Sequence, residues 1–151
     1  MTLSDLQAEA ATLILPHFDE PAALQLGLIL TDLAKADALP IVINIRTANR
    51  TLFHLALPGS GPNNDEWARR KSNTALRFHE ASFLVGTRHR DKGETMARHG
   101  VDPADYSDKG GAVPIRVKGV GVVAVATVSG LPQADDHALV VRAIRSLIAQ
   151  I

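Results

Sequence analysis

Apolar residues in the first 36 positions recur every three or four residues, which is the period of an amphipathic helix. A first helix is predicted from an N-cap at Ser4 to near Pro16, and a second begins with Pro21 in its first turn. The main apolar stripe of the second helix is formed by Leu26, Ile29, Leu30 and Leu33. Leu24 and Leu28 lie on its opposite side, so this helix has two apolar faces. In so short a chain, burial of both faces indicates contact with another subunit.

Beyond the second helix the apolar period changes to two, which is the period of a β-strand. Ile41, Ile43 and Ile45 share one face of the first strand. A turn at 48–49 leads into a second strand from Thr51 to Leu57. Because the turn is short, the two strands must form an antiparallel hairpin.

Two more helices and a second pair of strands follow. Asn63 or Asn64 can cap a third helix that runs to about His79, and a fourth helical stretch covers about Ser82 to Lys92. A connector up to Gly111 separates these helices from the second pair of strands.

Val113, Ile115 and Val117 alternate with other residues, whereas Val122 to Val128 is apolar on both faces, as a central strand should be. The last helix is predicted from Gln133 to about Ala149. Two hairpins joined by a helical pair are incompatible with a doubly wound parallel sheet. The order therefore predicts an α/β fold of the α+β type, with helices packed on the faces of an antiparallel sheet.

Composition narrows the function classes. The chain has 151 residues, 46% of them hydrophobic, so residues 1–151 are expected to form a single domain. Lys plus Arg and Asp plus Glu number 16 each, which leaves no net field to attract nucleic acid or an anionic membrane. Cysteine is absent, the N-terminus lacks a signal-peptide pattern, and no run of about 18 apolar residues occurs. These features predict a cytoplasmic protein that binds neither nucleic acid nor membranes.

The third helix carries the densest polar motif of the chain. Its period places Lys71 among the apolar positions that include Trp67, with Arg70 and Arg77 beside them. Two interpretations of Lys71 are open. Its stem packs on Trp67 while its ammonium reaches water or a carboxylate, which could belong to another subunit. Alternatively, Lys71 and a neighbouring arginine line a pocket for a small anionic ligand.

The turn after the last strand is a second candidate site. Ser129 and Gly130 form this turn, and Asp136 and His137 stand in the first turn of the last helix. The period of that helix directs His137 toward its apolar stripe, where an imidazole is either a hydrogen-bonded core residue or a ligand of a metal or haem iron. Asp136 is most simply a first-turn acid that complements the helix dipole.

The rest of the chain contains no sequence motif of a zinc site or of a serine nucleophile. The other histidines lack zinc-binding spacing, so no metal site is predicted. Ser129 is not in a Gly-x-Ser-x-Gly motif, and the catalytic residues stay unknown. The loop Gly59 to Gly61 could offer backbone N–H groups to an anion, although such loops are usually plain turns.

Two motifs resemble the haem-degrading domain family of the GlcG and HbpS type, and most closely its short uncharacterised branch. The first is the Asn-Asp-x-Trp-x-x-Arg-Lys segment at 64–71, which Arg77 and Phe78 follow. The second is the Val-Ser-Gly-Leu-Pro-Gln-x-x-Asp-His segment at 128–137. The resemblance implies a profilin-like sandwich, a homo-oligomer, and haem or another small ligand. The cofactor stays unknown, with haem implied by the resemblance alone.

The leading hypothesis is a cytosolic, homo-oligomeric protein that binds a small anionic or haem-like ligand. Its candidate site comprises Trp67, Arg70, Lys71, Arg77, Ser129, Gly130, Asp136 and His137. One alternative is a structural or partner-binding oligomer in which the same cations pair with carboxylates of a neighbour. Another is an enzyme that uses Asp136 and His137 in acid–base chemistry.

Overall fold

The computed structural model describes residues 1–151 and contains five α-helices and five β-strands. In chain order these are α1 (Leu3–Thr12), β1 (Ile14–Leu15), α2 (Glu20–Ala36), β2 (Val42–Arg46), β3 (Thr51–Ala56), α3 (Pro62–Phe78), α4 (Ser82–Lys92), β4 (Ala112–Val117), β5 (Gly121–Ser129) and α5 (Gln133–Gln150). A short 3₁₀ helix, Met96–His99, lies in the connector between α4 and β4.

The five strands form one sheet in the order β1-β4-β5-β2-β3. The pairs β2–β3, β2–β5 and β4–β5 are antiparallel, which confirms the predicted sheet and its two hairpins. Strand β1 was not predicted. It adds two residues in parallel to the edge of β4, where Ile14 pairs with Arg116 and Leu15 with Val117. For this reason α1 ends at Thr12 instead of continuing toward Pro16.

Strand β5 is the middle strand, and its two faces meet different helices. Ala124, Ala126 and Val128 belong to the main hydrophobic core, which also contains buried residues of α2 and α5. On the other face, Val125 packs with Ala75 of α3. Helices therefore cover both faces of the sheet, as predicted, and residues 124–129 of this strand are all buried.

Helix α3 begins at a different residue from the one expected. Its N-cap is Gly61, and Pro62 occupies the first turn, where the missing N–H costs nothing. Asn64 contributes through its side chain, since its Oδ1 accepts a hydrogen bond from the Gly61 backbone N–H at 2.9 Å. This start places Trp67 and Lys71 one helical turn apart on the same side of α3.

The outer face of α2 carries two exposed leucines. Leu24 is 53% exposed and Leu28 is 51% exposed, whereas Leu26 and Leu30 on the other side are buried. None of the helices combines the length and apolar character needed to cross a bilayer.

Candidate functional site

Lys71 is the most unusual side chain of the molecule, because its ammonium is buried at the centre of the fold. Its Nζ donates hydrogen bonds to the carbonyl oxygens of Gly110 at 3.0 Å and Val128 at 2.6 Å, and to Asp136 Oδ2 at 3.1 Å. An ammonium group has three N–H donors. All three are used within the chain, and they tie α3 to the connector before β4, to β5 and to α5.

Asp136 is the carboxylate that meets this ammonium. The Lys71 and Asp136 side chains are only 3% and 4% exposed. The other carboxylate oxygen of Asp136, Oδ1, accepts a hydrogen bond from the Leu131 backbone N–H at 3.0 Å. Burial lowers the pKa of Lys71 and raises the pKa of Asp136, since loss of water around each charge outweighs their mutual attraction. Burial of the two charges therefore costs free energy of folding, and the hydrogen bonds of the pair offset part of this cost.

The backbone near Lys71 is shaped to admit its ammonium. Gly111 has a φ of +138°, and a Cβ atom there would lie 2.4 Å from Lys71 Nζ and 2.5 Å from the Val128 carbonyl oxygen. Only glycine fits such a position. Gly111 thus belongs to the same arrangement as the buried ion pair.

A cavity of about 370 Å³ opens above this pair, between α3 and the start of α5. We call it the polar cavity. Five of the residues predicted for the site line it, namely Trp67, Lys71, Ser129, Gly130 and Asp136. Five others that the sequence did not indicate complete its wall, namely Asn64, Lys109, Gly110, Leu131 and Gln133. Of the ten, only two are hydrophobic.

Lys109 is the cation of this wall that has no counter-charge. It is exposed, and it takes part in none of the ion pairs of the chain. The N-terminus of α5 also borders the cavity and has no side-chain cap. A helix N-terminus without a side-chain cap carries partial positive charge, which the first-turn acids Asp135 and Asp136 offset in part. These two features make the polar cavity favourable for an anion.

Arg70 does not line the polar cavity, but it contacts Trp67, which does. Its guanidinium carbon lies 4.1 Å from the centre of the Trp67 ring, which is a cation–π contact. The contact holds the indole at the cavity entrance. The helical period placed Arg70 beside the apolar positions that include Trp67, and in the structure its guanidinium contacts this ring.

Arg77 does not belong to the polar cavity. It lies two helical turns further along α3, is exposed, and has its guanidinium carbon 5.9 Å from the centre of the Tyr106 ring. The predicted grouping is corrected here. Seven residues beyond Arg70 the helix has carried the side chain about 10 Å along its axis, out of reach of the cavity.

His137 is also separate from the polar cavity, because consecutive residues of a helix point about 100° apart. Its imidazole is 2% exposed, and its Nε2 lies 2.6 Å from Glu9 Oε1 of α1. Asp136 and His137 therefore form no acid–base pair with each other. His137 and Glu9 border a second cavity of about 210 Å³ between α1, α4, β4 and α5, which we call the apolar cavity.

His89 and His99 line neither cavity and contact each other. His89 is buried, and its Nδ1 lies 2.8 Å from Asp108 Oδ2 while its Nε2 lies 2.7 Å from His99 Nε2. No group of three or more His, Asp or Glu side chains is arranged to hold a metal ion.

Taken together, the antiparallel sheet covered by helices and the polar cavity at the start of α5 define a mixed α/β protein with a small-molecule-sized cavity. The family model for haem degrading protein HbpS-like matches residues 18–145, and the chain belongs to this family. The resemblance seen in the two sequence motifs is thus confirmed.

Relatives and solved structures agree with this assignment. The UPF0303 protein of Streptomyces avermitilis is 44% identical over 99% of this chain and 92% of its own length, and that of Rhizobium etli is 41% identical over 98% and 90%. The crystal structure of the Ybr137w protein is 30% identical, with a TM-score of 0.89 over 99% of this chain and 89% of that one. The PduOC:heme complex, at 18% identity, a TM-score of 0.70 and coverage of 89% and 94%, shares the fold.

The residues of the two cavities do not fit haem. Haem iron takes an axial ligand such as His, Cys, Met or Tyr, and the wall of the polar cavity contains none of these. The macrocycle is apolar, whereas Trp67 and Leu131 are the only hydrophobic residues of that wall. The apolar cavity has histidines, but its volume is below the roughly 300 Å³ at which cofactor-sized sites begin.

Proposed function

We propose that this protein binds a small anionic compound in the polar cavity. The observation that carries the proposal is a cavity of about 370 Å³ whose wall holds an unpaired cation, Lys109, beside an uncapped helix N-terminus and an indole ring. A ligand of a few polar groups is favoured by this wall, since eight of its ten residues are not hydrophobic.

The buried ion pair has a supporting role in this proposal. Lys71 has no free N–H to offer a ligand, because its three donors already bind Gly110, Val128 and Asp136. Its contribution is to hold the connector and α5 in the positions that bring Lys109 and the start of α5 to the cavity. The anion itself meets Lys109 and the first backbone N–H groups of α5, while the indole of Trp67 borders the entrance.

Titration of the purified protein tests the proposal. Citrate, oxalate and inorganic phosphate are added separately, and Trp67 fluorescence is followed, since this is the single tryptophan of the chain. At least one anion should change the fluorescence and raise the melting temperature. Lys109→Gln should weaken that binding about 10-fold, which corresponds to a loss of about 1.4 kcal/mol of binding free energy.

The matched control is Lys118→Gln, since Lys118 is exposed in the turn between β4 and β5 and is remote from the cavity. It should leave the affinity unchanged. Haemin is added as a comparison, and the protein should not change the absorbance spectrum of haemin. If none of the three anions alters the fluorescence or the melting temperature, the proposal is wrong.

A homo-oligomer in the cytosol is the second part of the proposal, and its oligomeric state is supported by the outer face of α2. Two leucines that are half exposed on one helix form an apolar strip that a second copy of the chain would cover. Leu24→Lys combined with Leu28→Lys should reduce the mass found by light scattering to that of one chain. Val120→Lys is the control, because Val120 is 72% exposed in a turn. A wild-type protein of 16.1 kDa in solution would contradict the proposal.

A further inference from the structure

The apolar cavity is independent of the polar cavity and has a different character. It lies between α1, α4, β4 and α5, and its apolar wall comprises Leu6, Ala10, Leu13, Ala81, Leu84 and Val113. An apolar cavity of about 150 Å³ in a protein core is large enough to hold benzene. At about 210 Å³, this cavity can hold a single ring that carries one small substituent.

The charges around this cavity decide which substituent is favoured. Two carboxylates lie on the wall, and both have partners. Glu9 Oε1 is 2.6 Å from His137 Nε2, and Glu80 accepts two hydrogen bonds from the Arg88 guanidinium. These acids are therefore already engaged within the chain.

Arg116 is a charged residue of this wall that has no ion-pair partner. It is half-buried on β4 and takes part in none of the ion pairs of the chain. Its Nη2 donates one hydrogen bond, at 2.7 Å, to the carbonyl oxygen of His79. A guanidinium has five N–H donors arranged as a planar fork, so further donors are available to a carboxylate in the cavity.

The imidazole of His137 adds a second polar feature to the same wall. It is 2% exposed, and its Nδ1 is buried without a hydrogen-bond partner. Buried polar atoms without partners are uncommon and costly in proteins. The unpartnered Nδ1 is thus a polar atom for which the chain supplies no hydrogen-bond partner.

We propose that the apolar cavity binds a small carboxylic acid with an apolar body the size of one ring. The body packs against Leu6, Leu13 and Leu84, and the carboxylate pairs with the Arg116 guanidinium. The Glu9–His137 pair closes the other side and links α1 to α5. This site does not rest on the function proposed for the polar cavity, since the two share no lining residue.

Titration with benzoate, followed by ¹H–¹⁵N NMR of the wild-type protein, tests this proposal. Benzoate should shift the amide signals of α1, of β4 near Arg116 and of the first turn of α5. Benzyl alcohol has the same ring without the charge and should bind about 10-fold more weakly, because a charge-assisted hydrogen bond is lost. Arg116→Gln should remove this preference, and Arg116→Lys should retain part of it.

A variant at the entrance provides a check on location. Ala10 lines the cavity and is exposed, so Ala10→Phe can fill the entrance without disturbing the core. It should abolish binding of both compounds, whereas Lys109→Gln in the polar cavity should change neither. Absence of shifts around the apolar cavity, or shifts only around Trp67 and Gly130, would overturn the proposal. Equal affinity of the wild-type protein for benzoate and benzyl alcohol would overturn the role given to Arg116.

Discussion

Asp136 and His137 are neighbours in α5, yet they border cavities of opposite character. Asp136 lies at the polar cavity and pairs with a fully buried ammonium, whereas His137 lies at the apolar cavity and pairs with a carboxylate at the surface of α1. In the polar cavity the buried cation is completely engaged. In the apolar cavity a half-buried cation, Arg116, keeps most of its donors free. The two cations differ in both burial and partners, and only the less buried one keeps donors available to a ligand.

This difference changes the interpretation of the α3 motif. A buried lysine on an apolar stripe requires a negatively charged partner, and in this chain the partner is the carboxylate of Asp136. No carboxylate of a neighbouring subunit is needed for Lys71. The cation that can meet a ligand in the polar cavity is Lys109, which lies in a connector and not on the motif.

The largest expected effect comes from breaking the buried ion pair. Lys71→Met should destabilise the protein by about 3–5 kcal/mol, because it leaves Asp136 buried without a cation. Urea denaturation at neutral pH measures this change in the free energy of unfolding.

The double variant Lys71→Met, Asp136→Leu separates the cost of an unpaired charge from the value of the pair. It should be clearly more stable than either single variant, since no uncompensated charge remains. If the two single losses simply add in the double variant, the two side chains do not act as a pair.

A smaller effect is expected on the side of the apolar cavity. Glu9→Ala should cost about 2 kcal/mol, because the buried Nε2 of His137 loses its hydrogen bond to a charged acceptor. Ser4→Ala is the control on the same helix, since Ser4 is exposed and should change stability by less than about 0.5 kcal/mol. Equal stability of the two variants would show that the Glu9–His137 contact does not hold α1 in place.

Elements with a regular apolar period were predictable from the sequence. The faces of β2 and the central position of β5 follow from alternation and from a continuous apolar run. Strand β1 was missed because two residues carry no period and are held only by the edge of β4, about 100 positions away.

The candidate site was predictable in part for the same reason. The helical period marked Lys71 as needing a partner, but it could not identify Asp136, which is 65 positions away. Nor could it indicate Lys109 or Glu9. Lys109 lies in an irregular connector, and the contact of Glu9 with His137 depends on how α1 packs against α5.

The pH dependence of the two single variants of the ion pair should have opposite signs. In Lys71→Met, the remaining Asp136 has a pKa that burial raises above its ordinary 3.8. A carboxyl group with a higher pKa in the folded chain stabilises that chain as the pH falls through the folded value toward 3.8. The stability deficit relative to wild type should therefore shrink as the pH falls toward 3.8.

In Asp136→Asn the remaining group is Lys71, whose pKa burial lowers below its ordinary 10.5. A lysine with a lower pKa in the folded chain stabilises that chain as the pH rises through the folded value toward 10.5. This deficit should shrink at alkaline pH instead. Urea denaturation across the pH range measures both, and deficits that move in the same direction would argue against burial as the cause of the two pKa shifts.

The smallest expected effect distinguishes the two arginines that the sequence placed together. Arg70→Ala should cost about 0.5–1 kcal/mol, since it removes the cation–π contact with Trp67 at 4.1 Å. It should also alter Trp67 fluorescence and weaken anion binding in the polar cavity, because the indole is no longer held at the entrance. Arg77→Ala is the matched control on the same helix and should leave fluorescence and binding unchanged, since Arg77 is exposed beside Tyr106. Weaker anion binding in Arg77→Ala would contradict the location of Arg77 outside the polar cavity.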